Sequence, residues 1–250
     1  MSEDIELKLL KEIENLKKKI EKLEGKIEKI PTYLFGKIRD RELRKLFDIR
    51  EKIDKNVFDD WFYSDFEIKE EDKEFLNKLL EREINLIKRY NEEDLKIKFI
   101  GEIINRVNFT DIDKYVRDFY EENLEYQTDS FKLSGNVDYF VSKGLDYPEK
   151  PYFFIQEFKR DKEYSNPEPQ LLAEMIAATE INSFESIKGA YIIGEKWCFV
   201  ILKRFDKHKY EYSVSNSFIS TRISDLIQIY KNLIIVKNEI FKDIENDNYL

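Results

Sequence analysis

Apolar residues recur in steps of four and three along the N-terminal part of the chain, from Leu9 to Ile30. This spacing is typical of the a and d positions of a parallel two-stranded coiled coil, and the flanking charges agree with it. Pro31 ends the predicted helix. We therefore expect a homodimer paired through residues 5–30; the alternative is a hairpin within one chain, packed against residues 37–56.

The pattern between residues 32 and 90 is also helical. Apolar residues follow the helical period over residues 41–55 and again over residues 70–90. The aromatic and acidic segment between them, residues 58–63, is interpreted as a packing anchor. The expected domains are a coiled coil over residues 1–31, a helical region over residues 32–90, and a third domain over residues 91–250.

From residue 91 onward the apolar period changes repeatedly between that of a helix and that of a strand. The clear helices are 91–107, 170–184 and 223–242, and the clear strands are 137–141, 152–159, 189–193, 197–203 and 210–214. A further strand near Phe131–Leu133 is faint. This order predicts an α/β fold with a mixed sheet and flanking helices.

Composition narrows the class of protein. The chain has 250 residues, of which 42% are apolar, and no apolar run approaches the ~18 residues of a membrane span. The start, Met1–Asp4, is acidic and unlike a signal peptide. The single cysteine, Cys198, allows no internal disulfide. We expect a cytoplasmic protein with no membrane partner.

The inventory of reactive residues excludes several chemistries. The single histidine, His208, argues against a histidine-dependent triad, and the sequence has neither a Gly-rich phosphate loop nor zinc-ligand spacing. The net charge of −9 counts against a strong nucleic-acid binder, because phosphate binding usually leaves a basic footprint. Acids that line a metal site also lower the net charge, so this value does not exclude a nuclease.

The candidate chemistry lies on two consecutive predicted strands, which carry Asp138 and the pair Glu157 and Lys159. Strand side chains alternate, so Glu157 and Lys159 leave the same face. If the hairpin that joins these two strands is symmetric, its centre lies between Tyr147 and Pro148. Asp138 and Glu157 are equally far from that centre and become cross-strand neighbours, about 5 Å apart at Cβ. Two carboxylates this close repel unless one is protonated or a cation lies between them, and their hard oxygens suit Mg²⁺ or Mn²⁺.

These residues belong to an ordered series that resembles the PD-(D/E)XK nuclease superfamily. The series runs through the chain from about residue 91 and consists of Lys98–Ile100, Gly135–Tyr139, Glu157–Lys159, Gln170–Met175 and Gly189–Trp197. The resemblance implies a restriction-endonuclease-like core of the order αβββαβ. The periodicity reproduces that order except for its faint first strand. One departure from the superfamily is that no Pro precedes Asp138.

The resemblance also implies roles. Asp138 and Glu157 would bind the metal, with the carbonyl of Phe158 as a further ligand. The metal would polarise the scissile phosphate and lower the pKa of the attacking water. Lys159 would orient that water or stabilise charge on the pentavalent phosphate. Gln170, in the first turn of the next helix, would reach the water shell of the metal or the DNA backbone; the alternative is a hydrogen bond at the helix start.

Superfamily members often carry one more acid on the helix before the sheet. That helix starts at Asn91, a favourable N-cap, followed by Glu92 and Glu93. Both acids lie roughly 50° from the centre of the apolar face, on opposite sides, and Glu102 lies well off it. Geometry therefore excludes Glu102 and leaves the other two open. Glu92 is taken as the candidate, and the alternative is that acids simply favour a helix N-terminus.

The expected function is a Mg²⁺- or Mn²⁺-dependent nuclease that hydrolyses DNA phosphodiester bonds by a metal-activated water. The alternative is a catalytically weak or inactive nuclease-fold protein that binds DNA or a protein and dimerises through its coiled coil. The intact set of two acids and a lysine favours the enzyme, because a protein that only binds has no need of it.

Overall fold

Nine strands of the described residues join one mixed sheet, and helices cover both of its faces. The computed structural model describes residues 12–19, 30–54, 56–159 and 166–246. The predicted mixed α/β class is confirmed.

The elements have the following bounds. The strands are β1 (Thr32–Leu34), β2 (Asp48–Glu51), β3 (Val116–Gln127), β4 (Lys132–Lys143), β5 (Glu149–Lys159), β6 (Ser186–Ile193), β7 (Lys196–Asp206), β8 (Lys209–Val214) and β9 (Phe218–Ile219). The helices are α1 (12–19), α2 (Asp40–Leu46), α3 (Asp59–Phe62), α4 (Glu70–Glu83), α5 (Glu92–Leu95), α6 (Gly101–Val107), α7 (Glu168–Asn182) and α8 (Ile223–Glu245). Short 3₁₀ turns cover Phe35–Lys37 and Ile87–Arg89, and a π turn over Lys96–Ile100 joins α5 to α6.

The centre of the sheet has one parallel pair among antiparallel ones. Strands β3, β4 and β5 are antiparallel to one another in that order, β6 is parallel to β5, and β7 is antiparallel to β6. Two strands from the N-terminal part extend the sheet, since β1 pairs parallel with β4 and β2 pairs parallel with β8. The short β9 pairs antiparallel with β7. Strand β8 itself is antiparallel to β7.

Helix α7 is the crossover that the parallel pair β5–β6 requires. Eleven of its fifteen residues are buried, so the helix is enclosed on most sides rather than amphipathic. It packs on the sheet face that carries Ile155, whereas Phe154 and Phe158 face the opposite core with α6 and α8. By strand alternation, Glu157 and Lys159 lie on the face covered by α7.

Strand β4 changes partner along one of its sides. Its C-terminal half, from Tyr139, pairs with β5, whereas its first residues, Lys132–Ser134, pair with β1. Gly135 lies at this change with a φ of 155°, and a Cβ there would come within 3.1 Å of the Phe35 ring. Glycine is therefore required where β1 passes β4, three residues before Asp138.

The first strand of the central sheet was predicted in the wrong place. Residues 131–133 include the start of β4, and the preceding strand is β3, over Val116–Gln127. Strand β3 pairs with β4 alone and lies at an edge, where most of its side chains are exposed or half-buried. An exposed edge strand has little apolar alternation, which explains why periodicity misses it.

The prediction of an all-helical region over residues 32–90 was also wrong. Helix α2 ends at Leu46, and the rest of the predicted helix contains β2, in which the buried Ile49 pairs with Tyr210. Helix α4 ends at Glu83 instead of continuing to residue 90. Because β1 and β2 belong to the common sheet, these residues share its core.

The aromatic segment at residues 58–63 is a packing anchor, as predicted. Phe58, Trp61 and Phe62 are buried in the core that includes α8. The indole N–H of Trp61 donates a 2.9 Å hydrogen bond to the backbone carbonyl of Asn232 on that helix. The segment thereby fixes the N-terminal part of the chain to the C-terminal helix.

The C-terminal helix was predicted closely. Helix α8 spans 23 residues and buries one apolar face, with Leu226, Ile229 and Leu233 completely enclosed. Its other face is polar, as expected of an amphipathic helix. Among the described helices, none combines the length and the apolar character needed to cross a membrane.

The predicted coiled coil lies largely outside the described residues. Residues 12–19 form α1, whose side chains are all exposed. The heptad positions before residue 12 and from 20 to 29 are not described. Pairing of two chains through residues 5–30 therefore stays a prediction.

Replacing Gly135 by Ala is expected to lower the free energy of unfolding by about 1–3 kcal/mol, because a side chain at this φ is strained and would contact Phe35. Urea denaturation measures the change. Asn136→Ala, at the exposed neighbouring position, is the control and should stay within about 0.5 kcal/mol of wild type. Equal stability of Gly135→Ala and wild type would contradict the expected strain.

Candidate functional site

The β4–β5 register brings the two predicted acids together. Tyr139 pairs with Gln156, and one residue further the same register places Asp138 opposite Glu157. The sequence predicts this register, but it does so from a hairpin turn centred between Tyr147 and Pro148, which is not where the turn lies. Lys143 pairs with Glu149, so the tip is centred earlier than predicted, and irregular pairing beyond Val141 takes up the additional residues of β5.

Asp138 lies where β4 and β5 separate. Its Oδ2 accepts a 2.7 Å hydrogen bond from the backbone N–H of Phe158, and its Oδ1 lies 3.1 Å from the ammonium nitrogen of Lys96. Only 12% of the side chain is exposed. The carboxylate therefore completes the hydrogen bonding of β5 while it holds a buried cation.

Glu157 is completely buried between β5 and α7 and forms an ion pair with Lys159. Neither carboxylate oxygen of Glu157 accepts a hydrogen bond from the described residues. The contact with Lys159 is therefore an electrostatic attraction between the two charges. Burial, reinforced by the negative charge of Asp138, raises the pKa of Glu157 to about 8 even though Lys159 opposes the shift. Burial therefore disfavours the ionised form of Glu157, and a neighbouring cation such as the Lys159 ammonium favours it.

Lys159 lies close to both acids. Its ammonium nitrogen is 3.9 Å from Oδ2 of Asp138 in addition to its contact with Glu157. Burial alone would lower the pKa of Lys159, but the two carboxylates outweigh burial, and the pKa is raised. The lysine is therefore positively charged at neutral pH.

Gln170 lies in the first turn of α7, as predicted, and is bonded to another side chain of the same helix. Its amide Nε2 donates a 3.1 Å hydrogen bond to Oε1 of Glu174, which is completely buried. Oε2 of Glu174 has no hydrogen-bond partner among the described residues. Burial, followed by the charge of Glu157, raises the pKa of Glu174 well above its usual range. Three carboxyl groups, those of Asp138, Glu157 and Glu174, thus share one poorly solvated region.

The sequence prediction missed Glu174, although a signal was present. It lies four residues after Gln170, on the same side of a helix. It is also the acid in the middle of an apolar run, Leu171–Ala178, where an unpaired charge is costly.

The structure distinguishes the acids of the first helix. Glu92 and Glu93 lie 3.5 and 3.7 Å from the ammonium of Lys96, but 71% of the Glu93 side chain is exposed, against 37% of Glu92. The charge of Glu92 also contributes to the raised pKa of Lys159. Glu102 is turned away and pairs with Arg82 at 3.4 Å, in agreement with its exclusion. Of the two acids that remained open, Glu92 is therefore nearer to the cluster.

Lys96 and Glu121 were not predicted as site residues. The Lys96 ammonium contacts Asp138 and Glu121, each at 3.1 Å, and only 15% of its side chain is exposed. Glu121 lies on β3 at the position opposite Asp138 in the β3–β4 register. A signal for Lys96 was its position four residues after Glu92. Below, the acid–lysine cluster denotes Asp138, Glu157, Lys159, Glu174 and Lys96.

In their present arrangement, the acids of the described residues do not form a set of three that could hold a metal ion. Lysine ammonium groups lie against Asp138 and Glu157 instead. The donors are all carboxylate oxygens, the ligand type that Mg²⁺ and Mn²⁺ prefer.

No protein-family model matches the chain, and no curated protein is significantly similar to it in sequence. Evidence on function therefore comes from the geometry and the charges of the acid–lysine cluster.

The stability of the protein is expected to fall with rising pH because of Glu157. Its pKa of about 8 in the folded state exceeds the ~4.3 of an unfolded chain, so the folded state binds more protons between these values. The stabilisation is complete below pH ~4 and is lost as the pH rises through ~8. The slope for one proton is at most about 1.4 kcal/mol per pH unit.

Urea denaturation at pH 6.5, 7.5 and 8.5 in a chelator measures this slope. Glu157→Gln carries no titrating group at the position and should show a flatter dependence than wild type. The exposed Glu149→Gln on the same strand is the matched control. Parallel curves for wild type and Glu157→Gln would show that Glu157 titrates normally.

Proposed function

We propose that this protein is a metal-dependent nuclease that hydrolyses phosphodiester bonds of DNA. The observation that carries the proposal is the position of the completely buried Glu157. It lies together with Asp138 and Lys159, whose side chains are only 12% and 21% exposed, where two neighbouring strands separate. Buried charges of both signs in one place are costly and are concentrated at functional sites.

The order of the elements supports a restriction-endonuclease-like core. A helix formed by α5 and α6 precedes the antiparallel strands β3, β4 and β5, and α7 then leads into β6, which is parallel to β5. This is the αβββαβ order of the PD-(D/E)XK superfamily, which the sequence motifs resemble. Asp138 lies on its second strand, and Glu157 and Lys159 lie on its third.

The donor set fits a divalent metal ion. Both carboxylate oxygens of Glu157 and Oε2 of Glu174 are buried and accept no hydrogen bond from the described residues, so a bound cation would stabilise them. Asp138 and Glu157 would hold the ion, which when bound would polarise the scissile phosphate and lower the pKa of the attacking water.

The residues of the chain supply positioning and charge. Lys159 stays protonated and can donate a hydrogen bond to a phosphate oxygen, which stabilises the negative charge on the oxygens of the pentavalent phosphate. Gln170 donates a hydrogen bond to Oε1 of Glu174 and thereby orients the Glu174 carboxyl group. Glu92, whose side chain is 37% exposed, adds negative charge 3.5 Å from the Lys96 ammonium.

A basic segment beside the cluster supports a DNA substrate in spite of the net charge of −9. Gly36 lies next to Gln170: a Cβ added to Gly36 would be 3.9 Å from the side-chain amide oxygen of Gln170. The residues that follow include four exposed basic side chains: Lys37, Arg39, Arg41 and Lys45. Exposed positive charge next to the site can contact the phosphate backbone.

The second candidate function is that of a nuclease-fold protein that binds DNA or a protein without cutting. The lysine contacts of Asp138 and Glu157 favour this second function, because Lys96 and Lys159 already balance the charges of these two acids. The two functions differ in their response to metal and in catalysis.

Wild type with Mn²⁺ or Mg²⁺ is expected to cut at least one of linear, circular, single-stranded or branched DNA. Glu157→Gln should cut at least about a hundredfold more slowly, because the variant lacks a charged oxygen ligand. Gel assays of initial rate measure the difference. Glu149→Gln, exposed on the same strand, should cut like wild type.

The nuclease proposal fails if wild type cuts none of these DNAs, or if Glu157→Gln cuts as fast as wild type. Cleavage of RNA alone, offered in the same assay, would make RNA the substrate instead.

Mn²⁺ is expected to raise the melting temperature of wild type, since an ion that binds only the folded state stabilises it. The increase should be larger at pH 8.5 than at pH 6.5, because the ion must displace protons from acids with raised pKa values. Asp138→Asn should show little increase, whereas Asp146→Asn, exposed in the hairpin turn, should behave like wild type. An equal increase in Asp138→Asn would place the ion elsewhere.

A further inference from the structure

Lys96 lies at a position in the acid–lysine cluster that the nuclease motif does not specify. Its ammonium nitrogen is 3.1 Å from carboxylate oxygens of Asp138 and Glu121, 3.5 Å from Glu92 and 3.7 Å from Glu93. One ammonium group thus contacts four carboxylates, of which Asp138 is a proposed metal ligand. An exposed salt bridge has neither this number of partners nor this degree of burial.

A wide helical turn fixes the backbone of Lys96. The N–H of Gly101 donates to the carbonyl of Lys96 five residues earlier, which is the hydrogen bond of a π turn. A Cβ at Gly101 would lie only 2.9 Å from that carbonyl oxygen, so the turn requires glycine. The Lys96 ammonium also lies 5.7 Å from the centroid of the Phe158 ring. Lys96 is therefore held in the site by its backbone and by an aromatic side chain.

The charge of Lys96 persists in this environment. Burial disfavours an ammonium group, but the four carboxylates that surround Lys96 favour its charged form. A charged ammonium at 3.1 Å from Oδ1 of Asp138 acts on the carboxylate that a metal ion would need. Because like charges repel strongly at such distances, the ammonium and a divalent cation oppose one another at Asp138.

We propose that Lys96 is an internal counterion that competes with the divalent metal for Asp138. Binding of the metal then requires the ammonium to leave Asp138, and Glu121, Glu92 and Glu93 retain it nearby. When no metal is bound, Lys96 balances the negative charge of the buried acids and so stabilises the folded protein. The same charge weakens the affinity of the site for metal. This inference rests on the proposed metal-dependent function.

Mn²⁺ titration by calorimetry tests the competition without relying on catalysis. Lys96→Met removes the charge and keeps an unbranched side chain, and it should bind Mn²⁺ about tenfold more tightly than wild type. The metal-free variant should also melt at a lower temperature, because the acids lose their counterion. Lys98→Met is the matched control, since Lys98 is half-exposed on the same helical stretch and pairs with Asp94 instead.

Each outcome of the titration decides the inference. Affinity for Mn²⁺ that is equal to or weaker than that of wild type overturns the role of Lys96, while the proposed nuclease stands if wild type binds the ion and cuts. Absence of Mn²⁺ binding in wild type and Lys96→Met alike overturns both proposals.

A second variant keeps the test decisive if Lys96→Met does not fold. The double variant Lys96→Met with Glu121→Gln removes one positive and one negative charge, and so leaves the charge balance of the cluster unchanged. It retains Asp138 and Glu157, and it should also bind Mn²⁺ more tightly than wild type. Unchanged affinity in the double variant overturns the inference.

Discussion

The candidate site depends on one hydrogen bond, in which Asp138 accepts the backbone N–H of Phe158 where β4 and β5 stop pairing. A buried backbone donor without a partner is costly, so a carboxylate here takes the place of a neighbouring strand. The charge that makes the acceptor strong also attracts the ammonium groups of Lys96 and Lys159. The separation of the strands therefore creates both the requirement for an acid and the space beside it.

The second constraint is the burial of two acids against an enclosed helix. Glu157 on β5 and Glu174 on α7 are both completely buried, and the charge of Glu157 contributes to the raised pKa of Glu174. Because α7 is surrounded by protein on most sides, these groups are shielded from water. Their charge must be balanced locally, by a lysine or a proton, or by the metal ion proposed above.

Sequence patterns predicted the elements whose burial is strongest. The central strands, α7 and α8 follow their apolar periods, and the register of Asp138 with Glu157 agreed although irregular pairing shifts the turn. Strand β3 was not predicted because an edge strand needs little apolar alternation. Strand β2 was not predicted because its extended form depends on pairing with the distant β8. Periodicity does not reveal the π turn that positions Lys96. Glu174 was missed because only the element type was inferred from its apolar run, although a single acid inside such a run is itself a signal.

The pairing of β2 with β8 also constrains when the sheet can be completed. Asp48 pairs with Lys209, so one edge of the sheet joins segments from the early and the late parts of the chain. Contacts this distant in sequence cost loop-closure entropy and slow folding. During synthesis, β2 leaves the ribosome long before its partner exists. The core that encloses α7 can therefore close only after β8 has been synthesised, because residues of β2 and β8 belong to that core.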